Sequence, residues 1–274
     1  MSFETIRVRA LPALAALALA FALALAAAAP GPAGADATVS KTSQAKKKAK
    51  KAKQKAKKRK AAKKRRAQAR KRAAAKRKRL RIAGLKFYQP PKRLPKRHGT
   101  LIWQRKAGGV VPLKSAKSTQ LVLYTSTSPT GRNVAVSGSV SIPKGKAPKG
   151  GWPLITYGHG TTGIADKCAP SRNTKSGPAV GYINYTDDEQ NAWLEAGYAV
   201  ARSDYQGLGT PGVHPFLVGQ ASGRSVLDIA RAARQMGPKI SKSFLIAGHS
   251  QGGHAALFAA GEAAAWVPDL SLKG

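Results

Sequence analysis

The chain is short of negative charge. Only 11 of its 274 residues are Asp or Glu, against 49 Lys or Arg, for a formal net charge of +38. The shortage is local. Residues 41–81 hold 24 Lys or Arg and no acid, so the rest of the chain carries +14 of the +38. Such a tract cannot bury apolar surface and repels itself, so it is expected to be disordered or a frayed helix. It also lacks aromatic residues, and with them the stacking platforms of single-strand binders. Its charge alone would suit nucleic acid. Cysteine is nearly absent. Cys168 is either a free buried thiol or half of a bridge whose other half is missing.

What is present starts with a targeting pattern. Arg7 and Arg9 precede a run, residues 10–29, that is apolar apart from Pro12; Pro30-Gly31-Pro32 breaks it, and Ala33-Gly34-Ala35 offers a small-x-small cleavage pattern. About 20 apolar residues could also anchor the chain uncleaved in a bilayer. Alanine drives insertion weakly, so residues 1–35 are read as a signal peptide. Export makes nucleic acid an unlikely partner for residues 41–81. Anionic envelope polymers or lipid head groups become the expected ones, beside a purely solvated stalk. The protein is expected to be secreted or held at the cell envelope. The domain reading is 1–35 signal peptide, 36–82 basic tract opening with a short polar linker, 83–118 irregular lead-in, and 119–274 a globular domain long enough for a real core.

Regular patterns begin at Thr119. Two β-rich runs, TQLVLYTSTS and NVAVSGSVSIP, flank Pro129-Thr130-Gly131 as a hairpin. PLITYGHG is a short strand running into glycines. DDEQNAWLEAG is a helix with acids in its first turn and Gly197 at its end. YAVARSDYQGLG is a strand into a glycine-rich loop. A helix follows with Ser222 as N-cap and Val226, Ile229, Ala230, Ala233 and Met236 on one face, stopped by Gly237-Pro238. SFLIAG is a strand that passes directly into another helix. Strand and helix alternating in this way imply a parallel sheet covered by helices, with functional groups at the carboxyl ends of its strands.

The stretch LIAGHSQGGHAAL places Ser250 between Gly248 and Gly252, the G-x-S-x-G spacing of a nucleophile elbow, with strand before and helix after. The bland reading is a small residue in a tight turn. The two elbow glycines let strand and helix pass without Cβ clashes. A tetrahedral intermediate needs two backbone N–H donors. Gln251 supplies one. The Gly158-His159-Gly160 turn after the earlier strand points to Thr161 or Thr162 for the other, if it is more than a glycine loop. Neither metal nor cofactor is called for.

YGHGTTGIADKCAPS, SDYQGLGTPGVHPFLVGQASGRSVLDIARAAR and GHSQGGHAAL together resemble the secretory lipase family of the α/β-hydrolase superfamily, secreted triacylglycerol lipases and esterases, over about residues 119–274. The resemblance implies an α/β-hydrolase fold and lipid or other ester substrates, attacked by Ser250 through an acyl-enzyme. It also implies that residues 204–209 form a structural turn near the acyl site and that Cys168 pairs with a cysteine further along.

The same family order, Ser then Asp or Glu then His, finds no counterpart after Ser250. His98, His159 and His214 precede the serine, and His249 and His254 flank it. His254 lies one turn down the same helix, where it packs locally, and Asp269 falls too close, in a helix-to-strand loop. The catalytic acid and histidine are therefore expected outside this chain, which reads as the N-terminal portion of a longer hydrolase, weakly active by itself. A non-catalytic polyanion- or envelope-binding protein with a truncated hydrolase remnant is the alternative, and a peptidase on the same fold a third.

Overall fold

The computed structural model describes residues 37–79 and 83–274, so the expected signal peptide lies outside the described residues. Ala37–Arg79 form one continuous α-helix, α1. Ala, Lys, Arg and Gln are good helix formers, which offsets like-charge repulsion at i,i+4 spacing. Every side chain from Lys50 to Arg72 is exposed.

From Gly84 onward the chain builds a seven-stranded sheet. The strands are β1 (Leu101–Lys106), β2 (Ala116–Thr127), β3 (Asn133–Pro143), β4 (Trp152–Gly158), β5 (Ala199–Ser203), β6 (Ile240–Gly248) and β7 (Ser271–Leu272), in spatial order β1-β2-β3-β5-β4-β6-β7. β1, β2 and β3 pair antiparallel, and β3 pairs antiparallel with β5. β5, β4, β6 and β7 run parallel. The helices are α2 (Val180–Asn184), α3 (Asp187–Glu195), α4 (Gly219–Ala233) and α5 (Gln251–Trp266). This is an α/β-hydrolase sheet, an antiparallel hairpin leading into parallel strands with helical crossovers.

Side-chain alternation assigns the two faces. In β5, Ala199 and Ala201 join the large core beneath α4 and α5, while Val200 joins Leu113 and Leu194 on the other face. A third cluster forms at the β1 edge, where Phe87 and Tyr88 pack on Trp103, Leu121 and Leu123. The Trp103 indole N–H donates to the Phe87 carbonyl at 2.7 Å. The segment before β1 straps the sheet to its helices. Asn133 Nδ2 donates to the Pro95 carbonyl, Thr125 Oγ1 to the Arg97 carbonyl and Gln235 Nε2 to the Gly99 carbonyl. The His98 ring lies tilted against Trp266 with centroids 4.1 Å apart, and its Nδ1 lies 2.5 Å from the buried Asp228 carboxylate.

Two expectations are corrected. The lead-in 83–118 is not irregular throughout. It contains β1 and the first residues of β2, because an edge strand between Pro- and Lys-rich flanks shows little periodicity of its own. Ser222 is not an N-cap. α4 opens four residues earlier with Val218 in the cap position, and Ser222 is buried within the helix. Packing decides this. Cβ atoms at Gly219 and Gly223 would strike Phe258 and the Ala259 backbone, so these glycines let α4 lie directly on α5. The expected face, Val226, Ile229, Ala230, Ala233 and Met236, is fully buried.

Candidate active site

β6 ends at Gly248 and α5 begins at Gln251, leaving His249 and Ser250 to make the whole turn. Ser250 adopts φ 55°, ψ −118°, one of three non-glycine residues with positive φ among the described residues. A non-glycine residue held there stores backbone strain of about 1–3 kcal/mol, sustained only where the surroundings fix it. The surroundings are glycine. A Cβ on Gly248 would land on the Gly252 carbonyl, and a Cβ on Gly252 would land on the Gly158 carbonyl. One at Gly158 would sit 3.0 Å from the Gly252 oxygen. The end of β4 therefore lies directly against the elbow, and the His249 N–H ties them by donating to the Gly158 carbonyl at 3.2 Å.

Residues 159–163 follow at that junction. The Thr161 and Thr162 N–H groups find no acceptor among the described residues, and neither does the N–H of Gln251. The loop carrying the two threonines is fixed from below. The buried His159 ring stacks on Tyr205 at 4.4 Å and its Nδ1 lies 2.6 Å from the Gly160 carbonyl. The Tyr205 hydroxyl donates back to the His159 carbonyl at 2.8 Å. At the loop's far end, a Cβ on Gly163 would lie 2.6 Å from Cys168 Sγ, so the cysteine fills the space the glycine leaves. Cys168 is buried and has no disulfide partner among the described residues.

The turn after β5 completes the base. Asp204 is buried and accepts from the Ser171 N–H at 2.8 Å, from Ser137 Oγ at 2.6 Å and from Ser171 Oγ. Burial raises its pKa above the ordinary carboxylate value, and those hydrogen bonds oppose the rise. Further on, His214 Nδ1 lies 2.8 Å from the Gln206 carbonyl, which assigns the proton to Nδ1. Nε2 is then free to accept from the Gln251 side-chain amide at 3.1 Å. Burial lowers the His214 pKa, in keeping with this neutral tautomer. The residue after Ser250 is thus held by its side chain. The sequence signal for this tie was the HPF in the second motif, which spacing alone could not connect to Gln251.

Ser250 Oγ makes no hydrogen bond to a histidine among the described residues. His254 packs on Phe258 one turn along α5, ring centroids 4.8 Å apart. Asp269 pairs with Arg231 and Arg97. Beside the elbow opens a cleft of about 330 Å³, walled by Tyr157, Tyr185, Trp193 and His249. Tyr157 meets Trp193 edge-on at 5.9 Å, and Tyr185 meets His249 likewise at 5.1 Å. Tyr157 and Trp193 lie in residues read above only as strand and helix, and Tyr185 lies in none of the segments read there. Among the described residues no group of three or more potential metal ligands gathers, and no helix is long and apolar enough to cross a membrane.

His159 gives the site a pH signature. Burial lowers its pKa from 6.5 to about 4. The unfolded chain therefore binds this proton at a pH where the folded one does not, and stability present above pH 6.5 is lost as pH falls toward 4. The full effect is roughly 3 kcal/mol at 1.36 kcal/mol per unit. Buried Asp204 and Asp228, whose pKa values are raised, act in the opposite direction, so the parent curve alone does not isolate it. The difference in melting temperature between parent and His159→Gln, followed from pH 7 to pH 4, should shift steadily in the variant's favour. Parallel curves would show that His159 is not held neutral.

Residues 189–274 match the family described as Secretory lipase. Among solved structures, Candida antarctica lipase A is similar at 25% identity with a TM-score of 0.57, over 70% of this chain and 45% of that one. The rice cell wall degrading esterase LipA from Xanthomonas oryzae is similar at 25% identity with a TM-score of 0.50, over 65% of this chain and 49% of that one. The chain thus spans about half the length of these structures. No curated protein sequence matches it. With the elbow inside the matched segment and the sheet shared with a lipase and an esterase, the chain has an α/β-hydrolase fold, and its residues 189–274 are similar to the secretory lipase family.

Proposed function

We propose that this chain supplies the nucleophile and oxyanion-binding part of a secreted serine carboxylic ester hydrolase of the triacylglycerol lipase type. Ser250 Oγ attacks the ester carbonyl and gives its proton to a general base. The tetrahedral oxyanion is held by the Gln251 N–H and by that of Thr161 or Thr162. Its collapse breaks the ester C–O bond, the alcohol leaves with the proton, and water releases the acyl group. Among the described residues no histidine is hydrogen-bonded to the serine, so which group acts as the base is left to the labelling experiment below. The single observation that carries the proposal is Ser250 at φ 55° between β6 and α5, with the Gln251, Thr161 and Thr162 N–H groups finding no acceptor among the described residues.

Esters are favoured over peptides because their leaving groups need less help, so an elbow with preorganised donors goes further with them. The lipase and esterase names of the similar structures point the same way. A fluorophosphonate probe tests the nucleophile. This chain should label slowly, Ser250→Ala should not label, and a longer form carrying the base should label fast and hydrolyse p-nitrophenyl esters. Labelling that persists in Ser250→Ala would remove Ser250 as nucleophile. Fast labelling of residues 1–274 alone, lost in Ser250→Ala, would place the base within this chain.

A further inference from the structure

A further cavity lies away from the elbow. It encloses about 620 Å³ at the β1 edge of the sheet, between the Gly84–Tyr88 turn and the 167–178 loop. Its floor is apolar, formed by Tyr88, Val111 and Leu121, and its rim is cationic, with Arg105, Lys167, Arg172 and Lys175. No acidic side chain lines it. Arg105 is the unusual member. Its guanidinium lies over the Phe87 ring, 5.1 Å from the centroid, and among the described residues it forms no ion pair. Its Nε is buried without a partner. A buried guanidinium N–H left unpaired costs more than most polar groups, and a carboxylate is the partner its planar fork fits. Arg172 lies over the Tyr88 ring at 5.2 Å, and its pairing with the exposed Asp166 is loose, at 3.6 Å. Asp204 is already taken up by Ser137 and Ser171. Asn173 Oδ1, the other unpartnered buried atom on the lining, is an acceptor and would be met by water or an O–H group.

We propose that this cavity is a binding site for the carboxylate of an apolar-tailed acid, with the head on Arg105 and Arg172 and the tail along Tyr88, Val111 and Leu121. An apolar floor with a few convergent charges is what such an amphiphile requires. The choice of acid rests on the ester hydrolase reading, whose acyl product belongs to this class; the existence of an anion site does not. The site would retain released acid apart from the elbow.

Octanoate is the probe, titrated at high salt into the Ser250→Ala chain so that no turnover contributes and the exposed basic helix is screened. Calorimetry should show saturable binding at one site. Arg105→Gln should weaken it at least tenfold, and Arg172→Gln in the same direction by less. Uncharged octanamide should bind at least tenfold more weakly, and inorganic phosphate should not displace octanoate. If Arg105→Gln does not fold, the exposed pair Lys167→Gln and Lys175→Gln should still lower affinity severalfold. Octanoate binding unchanged in all these variants, or octanamide binding as tightly, would overturn the proposal. Equal displacement by phosphate would leave an anion site without a tail and overturn its ligand class. Loss of Ser250 labelling with octanoate binding retained would sink the hydrolase reading and keep this one.

Discussion

Gly252→Ala should cost the protein its elbow and much of its stability. The substitution adds one methyl group, and the place for it is already held by the Gly158 carbonyl at the end of β4. Neither side can yield easily. The carbonyl belongs to a central strand paired with β5 and β6, and it accepts from the His249 N–H. Gly252 itself lies in the first turn of α5. Backbone against Cβ in a packed interior belongs with the overpacking changes that exceed the usual range, so a loss of about 4 kcal/mol or more is expected. That is a large share of the 5–15 kcal/mol typical of a domain. The neighbouring glycine is the control. A Cβ on Gly253 meets nothing nearer than 3.8 Å, and Gly261, further along the same helix, has open space. Both changes to Ala should be neutral or stabilise by up to about 1 kcal/mol through helix propensity. Thermal melts and fluorophosphonate labelling of the three variants check this. Gly252→Ala with parental melting temperature and labelling would mean that β4 and α5 do not meet as described.

The second large effect concerns salt. We propose that α1 binds a linear anionic envelope polymer and adds little to ester chemistry. The helix is about 65 Å long at 1.5 Å per residue, and Lys and Arg are spread along its whole length without an acid. With charge on every side it has no apolar face to lay into a bilayer interface, which favours a polymer over lipid. If 6–10 anionic groups are engaged, affinity should fall by about 10³- to 10⁵-fold between about 50 and 200 mM salt. Replacing Lys63, Lys64, Arg65, Arg66, Arg70, Lys71 and Arg72 by Gln should flatten that dependence and leave labelling at Ser250 unchanged. The comparison is made on isolated anionic cell-wall polymer and on anionic vesicles. Equal binding of parent and variant to the polymer at low salt would end the idea, and stronger binding to vesicles would move the partner to lipid.

The features legible in the sequence are those where local chemistry and tertiary role coincide. SFLIAG followed by glycine-spaced Ser250 is a strand and a turn by composition alone, and β6 with α5 lies there. PLITYGHG gave β4 by the same logic. LIWQRK did not announce itself as β1, because an edge strand borrows its pattern from its partner. The start of α4 was missed because Gly219 and Gly223 are poor helix formers chosen for contact with α5, and that contact is invisible along the chain. The tie from His214 to Gln251 spans 37 residues, and no periodicity reports it. The wall of the cleft draws on β4, α3, Tyr185 between α2 and α3, and His249 after β6, so only the assembled sheet gathers it.

The strap ahead of β1 limits how far proteolytic trimming can advance. Phe87 is wholly buried and is the first large anchor of the sheet domain among the described residues. A cut upstream of Gly84 leaves the strap whole. A cut past Tyr88 opens the cluster around Trp103, and one past Gly99 removes His98 from Asp228, whose carboxylate would keep only the Trp266 indole as partner at 3.0 Å. A buried carboxylate stripped of its partner is among the costlier states a core can hold. Trimming is therefore expected to be tolerated up to Gly84 and to unfold the sheet domain once it passes Tyr88, so the smallest chain that still folds should begin at Gly84–Tyr88.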